Sequence, residues 1–154
     1  LIDKIALEYH EIDKIKNEAK NSSLRFAVSF GSVKEIDDTG ITRATALGVA
    51  RALQKLKLNP KNTKILLDGS LRAPSKFKNQ KTIIKGDEKE TIIALASIVA
   101  KVSRDRLMVR LSKKHSKYGF EIHKGYGTEK HIAFIRKFGL SKIHRKSFCR
   151  NLFI

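Results

Sequence analysis

Two carboxylates stand where chemistry could be done. Asp68 closes the short apolar run Lys64-Ile65-Leu66-Leu67, and Asp87 follows Lys85-Gly86 just ahead of the apolar stretch Ile92 to Ala100. Carboxyl ends of strands and starts of helices are where α/β folds gather active-site groups. Oxygen ligands at such places suit Mg²⁺, which keeps several waters and is often held by one or two carboxylates plus substrate phosphate. Such a cation activates water and stabilises the oxygens of an in-line displacement at phosphorus. Each acid also has a plainer reading: Asp68 as a turn residue in Asp-Gly, and Asp87 as a helix cap favoured by the macrodipole. Singly, the plainer readings are the stronger. Together, in a basic chain, the two acids point to a metal.

Other chemistries find little support. The sequence has no GxGxxG and no GxxxxGK[ST]. No HExxH occurs among the five histidines, and one cysteine with five scattered histidines argues against a tetrahedral zinc site. Cys149 lies in a basic tail and reads as an ordinary semi-buried thiol. A single cysteine cannot form an internal disulfide, which points to a reducing, cytoplasmic compartment.

The 154 residues suit one domain with one core. Lys plus Arg is 33 and Asp plus Glu is 15, a formal charge of +18. Charge of this size favours a polyanionic partner, nucleic acid above all, over a merely solvated basic surface. The longest apolar stretch includes Ser97 and is far shorter than the ~20 residues a bilayer needs. Residues 1–18 carry Asp3, Glu8, Glu11, Asp13 and Glu18, so they read as an amphipathic helix and not as a leader. No heptad pattern or apolar interface is visible, which predicts a monomer.

The elements that must position the acids follow from periodicity and breakers. A leading helix is expected over 1–21, and the alternation of Leu24, Phe26, Val28 and Phe30 predicts a half-buried strand stopped by Gly31. Ser32 with Glu35 resembles a capping box. A helix is expected over Ile41–Leu58, a buried strand over Lys64–Leu67, a polar loop over 70–80, and a second strand at Thr82-Ile83-Ile84. One long helix is then expected over Glu88–Lys113, its first half apolar nearly all round and so buried. Thr128 caps a helix that runs to Phe138 and ends at Gly139, and residues 139–154 form a basic tail. Helices alternate with short strands, which makes the class α/β.

The motifs, taken in order, resemble a known family. Leu66-Leu67-Asp68-Gly69, Ile84-Lys85-Gly86-Asp87 and Ala96-Ser97-Ile98-Val99-Ala100-Lys101-Val102-Ser103-Arg104-Asp105 closely resemble ribonuclease HII. So do Tyr118-Gly119-Phe120, His123-Lys124-Gly125-Tyr126-Gly127-Thr128 and His144-Arg145-Lys146-Ser147-Phe148. The region from Ala27 to Leu47 looks like the family's middle, so the resemblance covers about residues 24–150. It implies a ribonuclease H-like fold, a mixed sheet flanked by helices. It implies an endonuclease that hydrolyses the RNA strand of RNA–DNA hybrids and nicks 5′ to ribonucleotides in duplex DNA, using Mg²⁺ or Mn²⁺. Asp68 and Asp87 match the third and fourth of the family's four metal-binding carboxylates. Tyr126 matches the tyrosine that stacks at the DNA–RNA junction. Lys85, Lys101, Lys124, Arg145 and Lys146 would face phosphates, with Ser147 beside them at the substrate. Asp105 reads as structural, paired with a nearby Arg or backbone.

The sequence departs from the family in one respect. The family's first two carboxylates are an adjacent pair in Asp-Glu-x-Gly-Arg-Gly, and a later Asp-Ser-Lys contacts phosphate; neither motif is present. Asp3, Asp13, Asp37 and Asp38 do not match them. The chain, which begins with Leu, is therefore read as N-terminally truncated, with an unpaired sheet edge, an exposed apolar face and little or no activity alone. The competing readings are a non-catalytic basic RNA- or hybrid-binding protein, such as a ribosomal component, and a pseudo-enzyme that has lost its first strand.

Overall fold

In the computed structural model the described residues are Asn17 and 25–152. The helix expected over 1–21 lies outside them, apart from the helical Asn17. The first described helix starts where its caps demand. The Ser32 hydroxyl accepts from the Glu35 N–H, and the Glu35 carboxylate accepts from the Ser32 N–H. This capping box opens α1, Val33–Thr39. Gly40, at φ +79°, ends α1 and begins α2, Ile41–Leu56, whose Arg51 reaches back to the Glu35 carboxylate at 3.0 Å.

Residues 25–32 are not the strand that the alternation predicts. No described strand lies beside them to complete a ladder, and α2 takes up a backbone group instead: Lys55 Nζ donates to the Val28 carbonyl at 2.6 Å. Only part of the alternation reaches the core. Val28 packs against Val99 and Val102, whereas Phe26 and Phe30 are exposed.

The sheet is a parallel pair. β1, Ile65–Asp68, runs beside β2, Gln80–Ile83, with Ile65 opposite Gln80 and Asp68 opposite Ile83. The connecting loop is anchored rather than free. Its Ala73 and Phe77 join Ile65 and Leu67 in a core cluster covered by Val49, Leu53, Leu58 and Leu71. The Gln80 amide pins the loop, accepting from Ala73 N–H and donating to Phe77 C=O, both at 2.9 Å.

The long helix expected over 88–113 is two helices, α3 (Gly86–Lys89) and α4 (Thr91–Ser112). Glu90 between them is extended, at φ −130° and ψ 112°. Both helices pack on β1. The expectation that the first half of α4 is buried all round is also corrected. Ile93, Val99 and Val102 form the buried stripe, while Ile92 is 51% exposed and Ala96 and Ala100 are exposed as well. A helix apolar on every side needs neighbours on every side, and the sheet among the described residues has only two strands.

The chain then makes a 3₁₀ turn, Ser116–Tyr118, α5, Phe120–His123, and α6, Glu129–Phe138. The Thr128 hydroxyl caps α6 by accepting from His131 N–H, and Gly139 ends it. The basic tail holds α7, Lys146–Cys149, and a last 3₁₀ turn, Arg150–Leu152. Phe120, 1% exposed, anchors this end, with the Tyr118 ring stacked on it at 5.6 Å. No helix among the described residues is long and apolar enough to cross a membrane.

Candidate functional site

The end of β1 and the start of α3 are joined by one hydrogen bond. Asp68 Oδ1 accepts from the Gly86 N–H at 2.8 Å. The approach is close because residue 86 is glycine. A Cβ there would lie 2.7 Å from Ile93 Cδ1 and 3.3 Å from Asp68 Oδ1. Lys85 turns the chain into this position from the left-handed region, at φ 55°. Asp87 is the next residue, in the first turn of α3, inside the helix and not at its cap. Its side chain is exposed and has no hydrogen-bond or ion-pair partner among the described residues. The two acids predicted from sequence thus come to one corner of the molecule. No group of three or more His, Cys, Asp or Glu side chains able to hold a metal forms among the described residues. With one Asp68 oxygen and the whole Asp87 carboxylate uncommitted, the donor set fits a hydrated, oxygen-seeking cation approached from one side. Lys85 beside them pairs with Glu88 at 3.4 Å on the surface.

Tyr126 lies on a separate loop that packs on the second half of α4. Lys124 and Gly125 both have positive φ, and a Cβ at Gly125 would lie 3.1 Å from Met108 Cε. The Tyr126 ring is 54% exposed, with the Arg104 guanidinium 4.5 Å from its centroid. Arg104 Nη1 is 3.6 Å from Oδ1 of the buried Asp105, a charge contact too long for a hydrogen bond, and neither atom has a hydrogen-bond partner among the described residues. Lys124 folds back, its ammonium donating to the Glu121 carbonyl.

The tail residues form a third group. The Arg145 guanidinium lies 3.7 Å from the Phe148 ring centroid. The Lys146 and Ser147 N–H groups donate to the Asp37 carboxylate at 2.9 and 3.1 Å, and the Ser147 hydroxyl donates to it as well. These bonds, the hydroxyl's foremost, hold the Asp37 carboxyl below its ordinary value. The Ser147 hydroxyl is thus committed to Asp37, a residue to which the motifs gave no role.

The motifs also missed a histidine cluster. His123, His131 and His144 are buried against Phe120, with the His123 and His131 rings stacked at 4.1 Å. Burial first, and then the neighbouring imidazoles, push His144 down to about 4. His131 is lowered for the same leading reason.

The small parallel sheet and the helices around it fit an α/β protein of ribonuclease H-like architecture. The ribonuclease HII family profile matches residues 4–151. The ribonuclease HII of Caldicellulosiruptor bescii is 44% identical over 140 residues, covering 91% of this chain and 66% of that protein. That of Prochlorococcus marinus is 48% identical over 130 residues, 83% of this chain and 62% of that protein. That of Coxiella burnetii is 38% identical over 148 residues, 96% and 72% respectively. The chain belongs to the ribonuclease HII family. It spans about two thirds of the length of these curated relatives.

Proposed function

We propose that the chain supplies the strand-end half of a type 2 ribonuclease H centre. The activity is endonucleolytic. It hydrolyses the RNA strand of RNA–DNA hybrids and nicks 5′ to ribonucleotides in duplex DNA, as in ribonucleotide excision, with Mg²⁺ or Mn²⁺ as cofactor. The protein acts as a cytoplasmic monomer. The observation that carries this reading is the bond from the Gly86 N–H to Asp68, which sets Asp68 and Asp87 on one corner with oxygens to spare.

A divalent cation bound there supplies the charge that activates water and stabilises the displaced oxygens at phosphorus. The chain's own residues do the rest. Gly86 fixes the orientation of Asp68, so that its second oxygen is presented without a search through rotamers. Asp87 offers its carboxylate from the first turn of α3. Tyr126, beneath Arg104, presents a flat face of the kind on which bases and sugars stack. Lys85, Lys124, Arg145 and Lys146 draw phosphates, and Ser147 orders the tail through Asp37.

Two carboxylates hold one hydrated cation weakly and do not make a two-metal clamp. The family's Asp-Glu-x-Gly-Arg-Gly motif is not in this sequence, so the chain by itself is expected to cleave little or nothing. Incubation with Mn²⁺ and a duplex carrying one ribonucleotide tests this, and cleavage at the rate of a complete relative refutes it. A version carrying that segment ahead of Leu1 is expected to cleave, and to lose cleavage but keep duplex binding on Asp68→Asn. If Asp68→Asn leaves that cleavage intact, Asp68 is no metal ligand and the proposed centre is refuted; if the version carrying the segment binds the duplex without cleaving it, the non-catalytic, hybrid-binding reading gains.

A further inference from the structure

The buried histidines have no part in the chemistry above, yet their protons can be placed from their partners. His144 Nδ1 lies 2.9 Å from the Ser141 backbone N and 2.8 Å from its Oγ. A backbone N–H can only donate, so Nδ1 accepts and the proton of neutral His144 sits on Nε2. That N–H faces His131 Nε2 at 3.0 Å, which must accept. The proton of His131 is then on Nδ1, 2.8 Å from the Tyr126 carbonyl, which can only accept. The chain of bonds runs one way, from Ser141 N–H through both rings to Tyr126 C=O. His123 holds the preceding residue, its Nδ1 accepting from Gly125 N–H at 3.1 Å and its Nε2–H donating to the Tyr118 carbonyl at 2.6 Å.

Two imidazole nitrogens 3.0 Å apart also invite a soft cation. The Ser141 N–H argues against one. With Nδ1 engaged as acceptor, His144 Nε2 carries its proton and has no lone pair for a metal.

We propose that His144 and His131 are a positioning pair which, with His123, fixes the backbone of Gly125 and Tyr126 and so holds the Tyr126 ring against Arg104, and that acid releases this hold. The consequence for nucleic acid rests on the proposed role of Tyr126; the hold itself does not. The groups facing the pair are His115 just ahead of the 3₁₀ turn, His123 of α5, Tyr118 of that turn, Ser141 and the Tyr126 carbonyl, and Arg145 follows His144 in the chain. Among the described residues no carboxylate acts on either ring. A proton added to either ring turns an acceptor into a donor. On His131 Nε2 it sets N–H against N–H between the rings; on His144 Nδ1 it expels the Ser141 N–H and leaves the Ser141 hydroxyl oxygen as the acceptor there. With His144 held down to about 4, the chain of bonds is intact at neutral pH and breaks well into acid.

Long-range ¹H–¹⁵N NMR of the histidine-labelled chain at pH 7 is expected to show His144 protonated on Nε2 and His131 on Nδ1. The ring signals of Tyr126, assigned by their loss in Tyr126→Phe, are expected to move together with His144 as the pH falls towards 4. The opposite tautomers, or Tyr126 signals that stay fixed while His144 titrates, overturn the proposal. His131→Asn keeps a donor near the Nδ1 position, whereas His131→Leu removes it. Near-normal Tyr126 signals are expected in the first variant and displaced ones in the second, and identical signals in both overturn the proposal. If the Leu variant does not fold, the pH series on the unaltered chain decides. Fluorescence anisotropy with a labelled RNA–DNA duplex adds the functional arm: Leu should weaken binding about tenfold, equivalent to about 1.4 kcal/mol, and Asn by less than about twofold. Tyr126 signals that respond as expected while duplex binding stays constant uphold the positioning pair and refute the substrate-facing role of Tyr126.

Discussion

Asp68 does two jobs that substitution can separate. Its Oδ1 accepts the Gly86 N–H at 2.8 Å in a half-buried setting, and its charge serves the proposed cation. A hydrogen bond to a charged group contributes about 1.5–3 kcal/mol, and a buried N–H left without its acceptor costs about 1–3 kcal/mol. Asp68→Ala is therefore expected to destabilise the chain by about 2 kcal/mol, a fall in Tm of about 4–8 °C for a domain this size. Asp68→Asn keeps an amide oxygen where Oδ1 was. A neutral hydrogen bond is roughly half as strong as a charged one, so this variant should lose only about 1 kcal/mol. Both variants should lose the cation. Urea unfolding with and without Mn²⁺ reads both effects, because a ligand that binds only the folded state raises stability by RT ln(1 + [L]/Kd). The unaltered chain should gain stability with Mn²⁺, and neither variant should. If Asn proves as unstable as Ala, charge rather than acceptor geometry holds the turn. If Mn²⁺ stabilises the Asn variant as much as the unaltered chain, Asp68 is not a ligand.

Three further outcomes follow from the same contacts. Gly86→Ala drives a Cβ to within 2.7 Å of Ile93 Cδ1 and should cost about 1–3 kcal/mol in urea unfolding, partly recovered by Ile93→Val; an unchanged midpoint refutes the close approach. His144 is pushed down to about 4 from 6.5, so the unfolded chain takes the proton first. Stability from this residue is complete above about 6.5 and is lost as the pH falls towards 4, at most about 3 kcal/mol, and His144→Phe should flatten that slope in denaturation midpoints measured across the range. Asp37→Ala removes the acceptor of the Lys146 and Ser147 amides, so hydrogen exchange at those two positions should accelerate while amides in β1 keep their protection.

What could be read in advance was local. The Ser32 and Glu35 side chains satisfy each other's backbone within one turn, and Thr128 and Gly139 act within a few residues, so their elements lie where the residue types put them. The strand over 24–30 failed because alternation marks a face and not a partner, and no described strand lies alongside. The division at Glu90 failed because apolar periodicity runs on through residues 88–113, while the bond from Gly86 to Asp68 joins groups 18 apart in sequence. No spacing among His115, His123, His131 and His144 announces a cluster, because turns around Phe120 bring them together.

The same divide separates the groups proposed to meet a substrate from those that hold them. Asp68, Asp87 and Tyr126 sit in short motifs. Their supports come from other elements, and Gly86, Arg104 and His144 lie in the quoted motifs as well. Gly86 orients Asp68 across the strand–helix corner, Arg104 reaches the Tyr126 ring from α4, and His131 of α6, backed by His144, fixes the Tyr126 carbonyl. Asp37 orders Ser147 from 110 residues away. A support needs only a donor or acceptor of the right sense at the right place. The His131→Asn variant turns this into a measurement: if a side-chain amide holds Tyr126 as well as an imidazole does, the requirement at position 131 is a directed N–H and not a histidine.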